Sequence, residues 1–274
     1  MDAEAFKSFE AERWGAKART YDLLTGQVTA HFVEPLLDAV AARSGTRVLD
    51  LATGPGHLAG AAASRGAGVT GIDIAEGMLE RAARTHPEPT FLRADAEELP
   101  FADASFDAVV GAFLLNHLTR PEVAMREVAR VLTPGGRAAF TVWERPPRSR
   151  LITLLGEATR AAGVEPAGEV PRGPDSFRFA DEDELDALLR GAGLAHVRVE
   201  TIDVVHEGGG PEELWRGLLG GSVRGAALVE AQGERTRQRI RAEFGRLLEG
   251  LRRDGGYAIP AAAKLASATK HEGR

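Results

Sequence analysis

Three carboxylates stand where strand-like runs end, and each is of a type and spacing that could hold part of a nucleoside. Asp50 sits in the apolar run Val48-Leu49-Asp50-Leu51, ahead of the tight turn Ala52-Thr53-Gly54-Pro55-Gly56. Glycines there let backbone approach a ligand closely and adopt positive φ. Asp73 closes Val69-Thr70-Gly71-Ile72-Asp73, about 20 residues beyond the loop, where an acid can accept two hydrogen bonds from a ribose 2′,3′-diol. Asp95 follows Thr90-Phe91-Leu92-Arg93-Ala94. It can accept from an adenine amino group while the Ala96 amide donates to a ring nitrogen. Each signal alone is also an ordinary turn or helix cap, because Asp favours such positions. Three at the ends of three consecutive strands argue together for a nucleoside cofactor.

His117, in Leu114-Leu115-Asn116-His117, follows a fourth apolar run. Imidazole is the side chain suited to proton transfer near neutrality, so His117 is the candidate general base. The competing reading is a loop-fixing or helix-capping role. No pair of histidines has the spacing of a metal site, and no metal is expected.

The elements that must position these residues alternate clearly between Arg47 and Glu144. Strands are expected at 47–51, 69–73, 90–94, 106–112 and 137–143. Helices are expected from His57, from about Ala75 and over 121–132, the last opened by a proline and stopped by Pro134-Gly135-Gly136. Such alternation implies an α/β fold with a parallel sheet and helices on both faces. A helix opening at Asp181, a strand over 195–206 and a last strand within 257–269 complete a seven-stranded candidate sheet. The divisions are N-terminal helices over 1–45, a core over 46–144, an insert over 145–180, core helix and strand over 181–207, a helical insert over 211–253, and the last strand and tail over 254–274. Ligands of open α/β sheets bind outside the carboxyl ends of the strands. The three non-sheet pieces, 1–45, 145–180 and 211–253, are therefore expected to form a lid there.

The chain has 274 residues, no cysteine, and 34 Lys+Arg against 40 Asp+Glu, a net charge of −6. Absent cysteine excludes disulfides, thiolate zinc sites and a catalytic thiol. The acidic balance disfavours nucleic acid, whose phosphates need many cations. The acidic start MDAEAFKSFEAERW is unlike a signal peptide, and no apolar run approaches the roughly 18 residues of a membrane span. A cytoplasmic protein without membrane partners, monomeric or homodimeric, is expected.

VLDLATGPG, GIDIAEGML, RADAEELPFADASFDAVV and FLLNHLTRPEVAMREVARVLTPGGR together resemble the motifs of class I S-adenosylmethionine-dependent methyltransferases, of the small-molecule group similar to ubiquinone/menaquinone methylases. The resemblance runs from about Trp14 to Trp143 and resumes in the last strand. It implies a Rossmann-like doubly wound, mainly parallel sheet and S-adenosyl-L-methionine as cofactor, with S-adenosyl-L-homocysteine as product. It further implies that Asp50, Ala52, Thr53, Gly54 and Gly56 surround the methionine moiety. Asp73, Ile74 and Met78 would hold the ribose, and Asp95 and Ala96 the adenine. Phe113 would meet the amino group through its carbonyl, and Tyr21 would cover the cofactor. Ala52 and Thr53 depart from the family's usual residues, mildly.

A nicotinamide oxidoreductase is the competitor, but its glycine loop faces a pyrophosphate, beside which Asp50 is badly placed. Asp50 suits a cationic ammonium and sulfonium. A biosynthetic methyl transfer to the oxygen, carbon or nitrogen of a small molecule, in specialised metabolism, is the leading expectation. The same site used for a non-methylating reaction such as cyclisation is the alternative. Acceptor-lining candidates are Trp14, Trp143, Phe177, Phe179 and Trp215, beside Phe6 and Phe9. Arg145, of the cluster Arg145, Arg148 and Arg150, is the candidate contact for an anionic acceptor.

Overall fold

The structure, a computed structural model, describes residues 2–164, 171 and 173–272. The chain opens with α1 (Ala3–Lys17), α2 (Thr25–Thr29) and α3 (Val33–Ala39). Asp2 caps α1, its side chain accepting from the Glu4 and Ala5 amides. Pro35 lies in the first turn of α3, where a missing N–H costs nothing.

Next come β1 (Arg47–Leu51), α4 (His57–Ser64), β2 (Gly68–Asp73), α5 (Glu76–Thr85), β3 (Thr90–Arg93), β4 (Phe106–Ala112), α6 (Pro121–Val131) and β5 (Leu132–Trp143). After α7 (Leu154–Ala161) and α8 (Glu182–Gly191) the chain forms β6 (Leu194–Ile202) and β7 (Val205–Glu207). Then follow α9 (Pro211–Gly220), α10 (Arg224–Glu230), α11 (Glu234–Glu249), β8 (Arg252–Arg253), β9 (Gly256–Pro260) and β10 (Ala263–Lys270).

Seven strands form one sheet in the order β3-β2-β1-β4-β5-β10-β6. The first five run parallel, and β10 is antiparallel to both its neighbours. The alternation of side chains along a strand sets the two faces. Val48 packs with Leu36 and Leu37 of α3 and Leu58 and Ala59 of α4. Leu49 and Leu51 point the other way, to Met125 and Val128 of α6 and Leu185 and Leu189 of α8. Both faces are thus covered, and the sheet is the doubly wound, Rossmann-like one expected.

Two long strands were expected where the structure breaks each in two. The segment 195–206 divides into β6 and β7, and the segment 257–269 into β9 and β10. β7, β9 and β8 make a separate three-stranded sheet. Pro260, which has no N–H to continue a ladder, stands at the second break. The run Ala261-Ala262-Ala263 offers no apolar period that would mark it.

The N-terminal helices, the piece carrying α7 and the piece carrying α9–α11 share one hydrophobic cluster. Leu24, Val28 and Phe32, then Leu151, Leu154 and Leu155, then Leu214, Leu218 and Phe244 all belong to it, with Phe113 and Trp143 from the ends of the central strands. No helix among the described residues is long and apolar enough to cross a membrane.

Candidate cofactor and acceptor site

A cavity lies at the carboxyl ends of the central strands, under the N-terminal helices and the two inserts. Of the residues singled out in the sequence, Trp14, Tyr21, Ala52, Gly54, Asp73, Ile74, Met78, Asp95, Ala96, Phe113, His117 and Trp143 line it. Asp50, Thr53, Gly56, Arg145, Phe177, Phe179 and Trp215 are not among the lining residues.

Asp73 ends β2 with each carboxylate oxygen already holding one amide: Oδ2 accepts from Gly54 N and Oδ1 from Ala75 N, both at 2.9 Å. A carboxylate has about four acceptor positions, so capacity for a diol remains. A Cβ added at Gly54 would meet nothing nearer than the Ala52 carbonyl at 4.0 Å, so this backbone faces open space. Acceptor capacity beside an open glycine backbone fits the ribose and methionine portions of S-adenosylmethionine. Ala52, where the family has glycine, takes φ +52°. Phe113 takes φ +57°. A bulky residue in that region is a true outlier and carries strain of about 1–2 kcal/mol. It is held by its amide, which donates to the Thr141 carbonyl at 3.1 Å, and by its ring, stacked on Trp143 at 4.0 Å.

Asp50 lies beneath the loop rather than in the cavity. It is 1% exposed and accepts from the Thr53 hydroxyl at 2.6 Å. Burial, opposed by that hydroxyl and reinforced by Asp73, pushes its carboxyl up to about 7. A carboxyl with a raised folded pKa gives stability that is present below the unfolded value and lost as pH rises through the folded one. Wild-type unfolding free energy, measured in urea, is therefore expected to fall by on the order of a few kcal/mol between about pH 4 and about pH 8. Asp50→Asn is expected to remove most of that fall, and an unchanged slope would contradict it.

Past β3, Asp95 Oδ1 accepts from Glu97 N at 2.8 Å. Lys7 of α1 donates to Asp95 Oδ2 at 2.6 Å and to Glu97 Oε2 at 2.7 Å. Burial pushes the Glu97 carboxyl up, but Lys7, the Arg120 amide and side chain, and Thr119 together bring it down to about 2. Glu97 is therefore a fixed anion that fastens α1 to the loop before α6.

His117 closes a short 3-10 turn after β4. Its Nδ1 lies 2.7 Å from Glu10 Oε2, which also accepts from Trp14 Nε1 at 2.9 Å. Trp14 meets the imidazole edge-on, with centroids 5.6 Å apart. Burial pushes the Glu10 carboxyl up, but the charge and hydrogen bond of His117 outweigh it and hold Glu10 below its ordinary value. Glu10 is thus ionised and can only accept, so His117 Nδ1 is the donor of this pair. Tyr21 packs near Trp14 with its hydroxyl 3.3 Å from Thr29 Oγ1, and burial pushes the phenol up to about 12. Asp22 ties this segment to α4 through His57 Nε2 at 2.7 Å and to α5 through Arg81.

Beyond Phe113 and His117 the lining becomes apolar. It is formed by Trp143, Leu151, Ile152 and Leu155, with Leu218 and Val223 opposite, and a polar margin of Thr25, Ser176, Ser222 and Arg224. The residues expected here but not found have other work. Trp215 packs edge-on against Phe244 at 5.2 Å. Phe179 lies in the sheet core under the Arg178 guanidinium. Phe177 packs beside that apolar cluster, its ring under Arg145. Arg145 donates to the Phe177 carbonyl, Arg148 pairs with Asp203, and Arg150 with Glu157. That arginine cluster is spent on surface contacts. Phe6 is fully buried and Phe9 lies beneath Arg13. Lys7, Glu10 and Arg224 line the cavity yet gave no signal in the sequence. The one local cue was the Glu10/Trp14 pair, four residues apart on one helix face.

Among the described residues no group of three or more His, Asp and Glu is arranged to hold a metal. Residues 49–140 match a family model described as a methyltransferase domain. The demethylmenaquinone methyltransferase of Beutenbergia cavernae is 35% identical over 189 residues, covering 64% of this chain and 78% of that protein. The ubiquinone/menaquinone biosynthesis C-methyltransferase UbiE of Pseudomonas entomophila is 34% identical over 227 residues, covering 72% and 87%. Among solved structures, the [4+2]-cyclase SpnF superposes with a TM-score of 0.55 at 21% identity, covering 89% of this chain and 82% of that one, a likeness of fold alone. With this similarity and a cavity that suits the cofactor, the chain belongs to the class I S-adenosylmethionine-dependent methyltransferases, of the ubiquinone/menaquinone methylase type.

Proposed function

We propose that the chain methylates a ring-sized, largely apolar acceptor bearing a hydroxyl, of the quinol or phenol type, and that His117 takes the proton the nucleophile must lose. The observation that carries this reading is the position of His117. It lines the cavity with Nδ1 held by Glu10 at 2.7 Å, so that in the neutral imidazole Nε2 is the basic nitrogen. S-adenosylmethionine, when bound, supplies a methyl group already activated on a sulfonium. The chain's own contributions are binding and orientation, which can supply on the order of 7–11 kcal/mol of the barrier, together with exclusion of water and one proton transfer. Asp73 and the open backbone at Gly54 hold the nucleoside, and Phe113 and Trp143 wall the junction. The described residues of segments 1–45, 145–180 and 211–253 act as the lid over the acceptor, and residues 165–170 and 172 of that expected lid lie outside the described residues.

The names of the relatives support a quinone-biosynthesis acceptor over the specialised metabolite that the sequence suggested. The test is incubation with S-adenosylmethionine and a short-chain demethylmenaquinol, reading S-adenosylhomocysteine release and the product mass. A ring-methylated product with equal homocysteine-cofactor release is expected. No release with this and related quinols and phenols would overturn the acceptor class. A rearranged acceptor without release would favour cyclisation.

A further inference from the structure

Arg224, the first residue of α10, is the arginine that lines the acceptor half of the cavity among the described residues. Its guanidinium donates to the Pro174 carbonyl and, at 3.0 Å, to the Ser176 hydroxyl. Two of its five N–H donors are thereby engaged. Among the described residues no carboxylate comes within the 4.0 Å of an ion pair; Glu10 and Asp175 act on it only through space. The other cation of the cavity, Lys7, is neutralised by direct contact with Asp95 and Glu97. Three arginines of the 145–180 segment, none of them among the lining residues, are ion-paired too: Arg148 with Asp203, Arg150 with Glu157, Arg178 with Glu122.

Burying a guanidinium without a contacting anion is costly, because it stays charged in any protein environment. On the same cavity, Glu10 Oε1 is buried without a hydrogen-bond partner among the described residues. Two opposite charges are thus held apart on one cavity, each with unused hydrogen-bonding capacity. A planar cation with spare donors, set against an apolar wall, matches a planar oxyanion on an apolar ring.

We propose that Arg224 recognises the methyl acceptor by binding an anionic oxygen on it, a carboxylate or an ionised ring hydroxyl. This deepens and rests on the small-molecule methyltransferase reading. It makes the acceptor class an apolar ring that carries an oxyanion, and Arg224 the residue that selects it.

The test is calorimetric titration of protein loaded with S-adenosylhomocysteine. Two probe pairs of matched size are used: 2-naphthoate against 2-naphthamide, and 4-nitrophenolate at about pH 8 against 4-nitroanisole. Wild-type protein is expected to prefer the anion of at least one pair by about tenfold or more, the scale of a charge-assisted hydrogen bond. Which pair discriminates tells a carboxylate acceptor from an ionised hydroxyl. Arg224→Gln is expected to bring that ratio to about one. Arg224→Lys is expected to retain part of it, as a point charge without the guanidinium fork. Affinity for S-adenosylhomocysteine should be the same in all three proteins, which also reports that each is folded. The proposal is overturned if wild type discriminates in neither pair, if it binds none of the probes, or if Arg224→Gln keeps the preference. Should Arg224→Gln not fold, an undiminished preference in Arg224→Lys overturns it equally. Wild type that does not bind S-adenosylhomocysteine would instead overturn the cofactor-site reading beneath it.

Discussion

Asp73→Ala is expected to weaken binding of S-adenosylmethionine and S-adenosylhomocysteine by roughly 10-fold to 10,000-fold, the loss of one or two hydrogen bonds to a charged acceptor at about 1.5–3 kcal/mol each. Two physical losses combine. In the proposed site the carboxylate accepts from the ribose diol, and it is also what holds the loop. Its oxygens fix Gly54 N and Ala75 N at 2.9 Å, so removing it frees the glycine turn as well as the ligand. Asp73→Asn separates the two, because its amide keeps one acceptor oxygen and turns a donor toward the other partner. Asparagine is expected to fall between wild type and alanine. The measurement is calorimetric titration, with a denaturant curve showing that each variant remains folded. Unchanged affinity in Asp73→Ala would sink the ribose assignment.

The second large effect is at His117. Removing a positioned general base typically costs about 10²–10⁴ in rate, so His117→Ala should lower kcat by that order with the demethylmenaquinol acceptor. Cofactor affinity should change little, because the nucleoside contacts come from Asp73 and the loop rather than from the imidazole. Added imidazole should recover part of the rate, which a merely structural histidine would not allow. Glu10→Gln should reproduce part of the loss. A neutral amide at 2.7 Å from Nδ1 neither holds that tautomer as firmly nor stabilises the imidazolium formed on proton uptake. Full turnover in His117→Ala would return the residue to a loop-fixing role and remove the base from the proposed mechanism.

What was legible beforehand follows from how local each feature is. Asp73, Asp95 and His117 each sit just past a strand that can be read from its own apolar run, and a parallel sheet brings all such strand ends to one edge. Knowing the strands was therefore enough to gather them. Asp50 shows the boundary of that logic. It was correctly placed at a strand end, but only packing decides that its side chain turns under the loop to Thr53 instead of into the cavity. Arg145 fails for the same reason: closeness in sequence to the end of β5 does not say which way a loop residue points, and this one points to the Phe177 carbonyl.

The acceptor half of the site was hidden more deeply. Glu10 and Arg224 lie 214 positions apart in the numbering and belong to helices whose exposed-looking charge patterns give no hint of a partner. They meet one cavity because Leu24, Leu155 and Leu218 from three separate segments bury one another, and that burial is non-directional, so no spacing rule announces it. Sequence by itself determined the doubly wound sheet and the strand-end edge at which Asp73, Asp95 and His117 line one cavity, since period-two apolar strands, glycine turns and strand-end carboxylates are local consequences of backbone geometry. Tertiary structure alone decided which charges line the cavity. Docking three distant helical pieces over the sheet edge turned Lys7 onto Asp95, Glu10 onto His117 and Arg224 onto the Pro174 carbonyl and Ser176 hydroxyl at the cavity wall, and those orientations depend on side chains far apart in the chain.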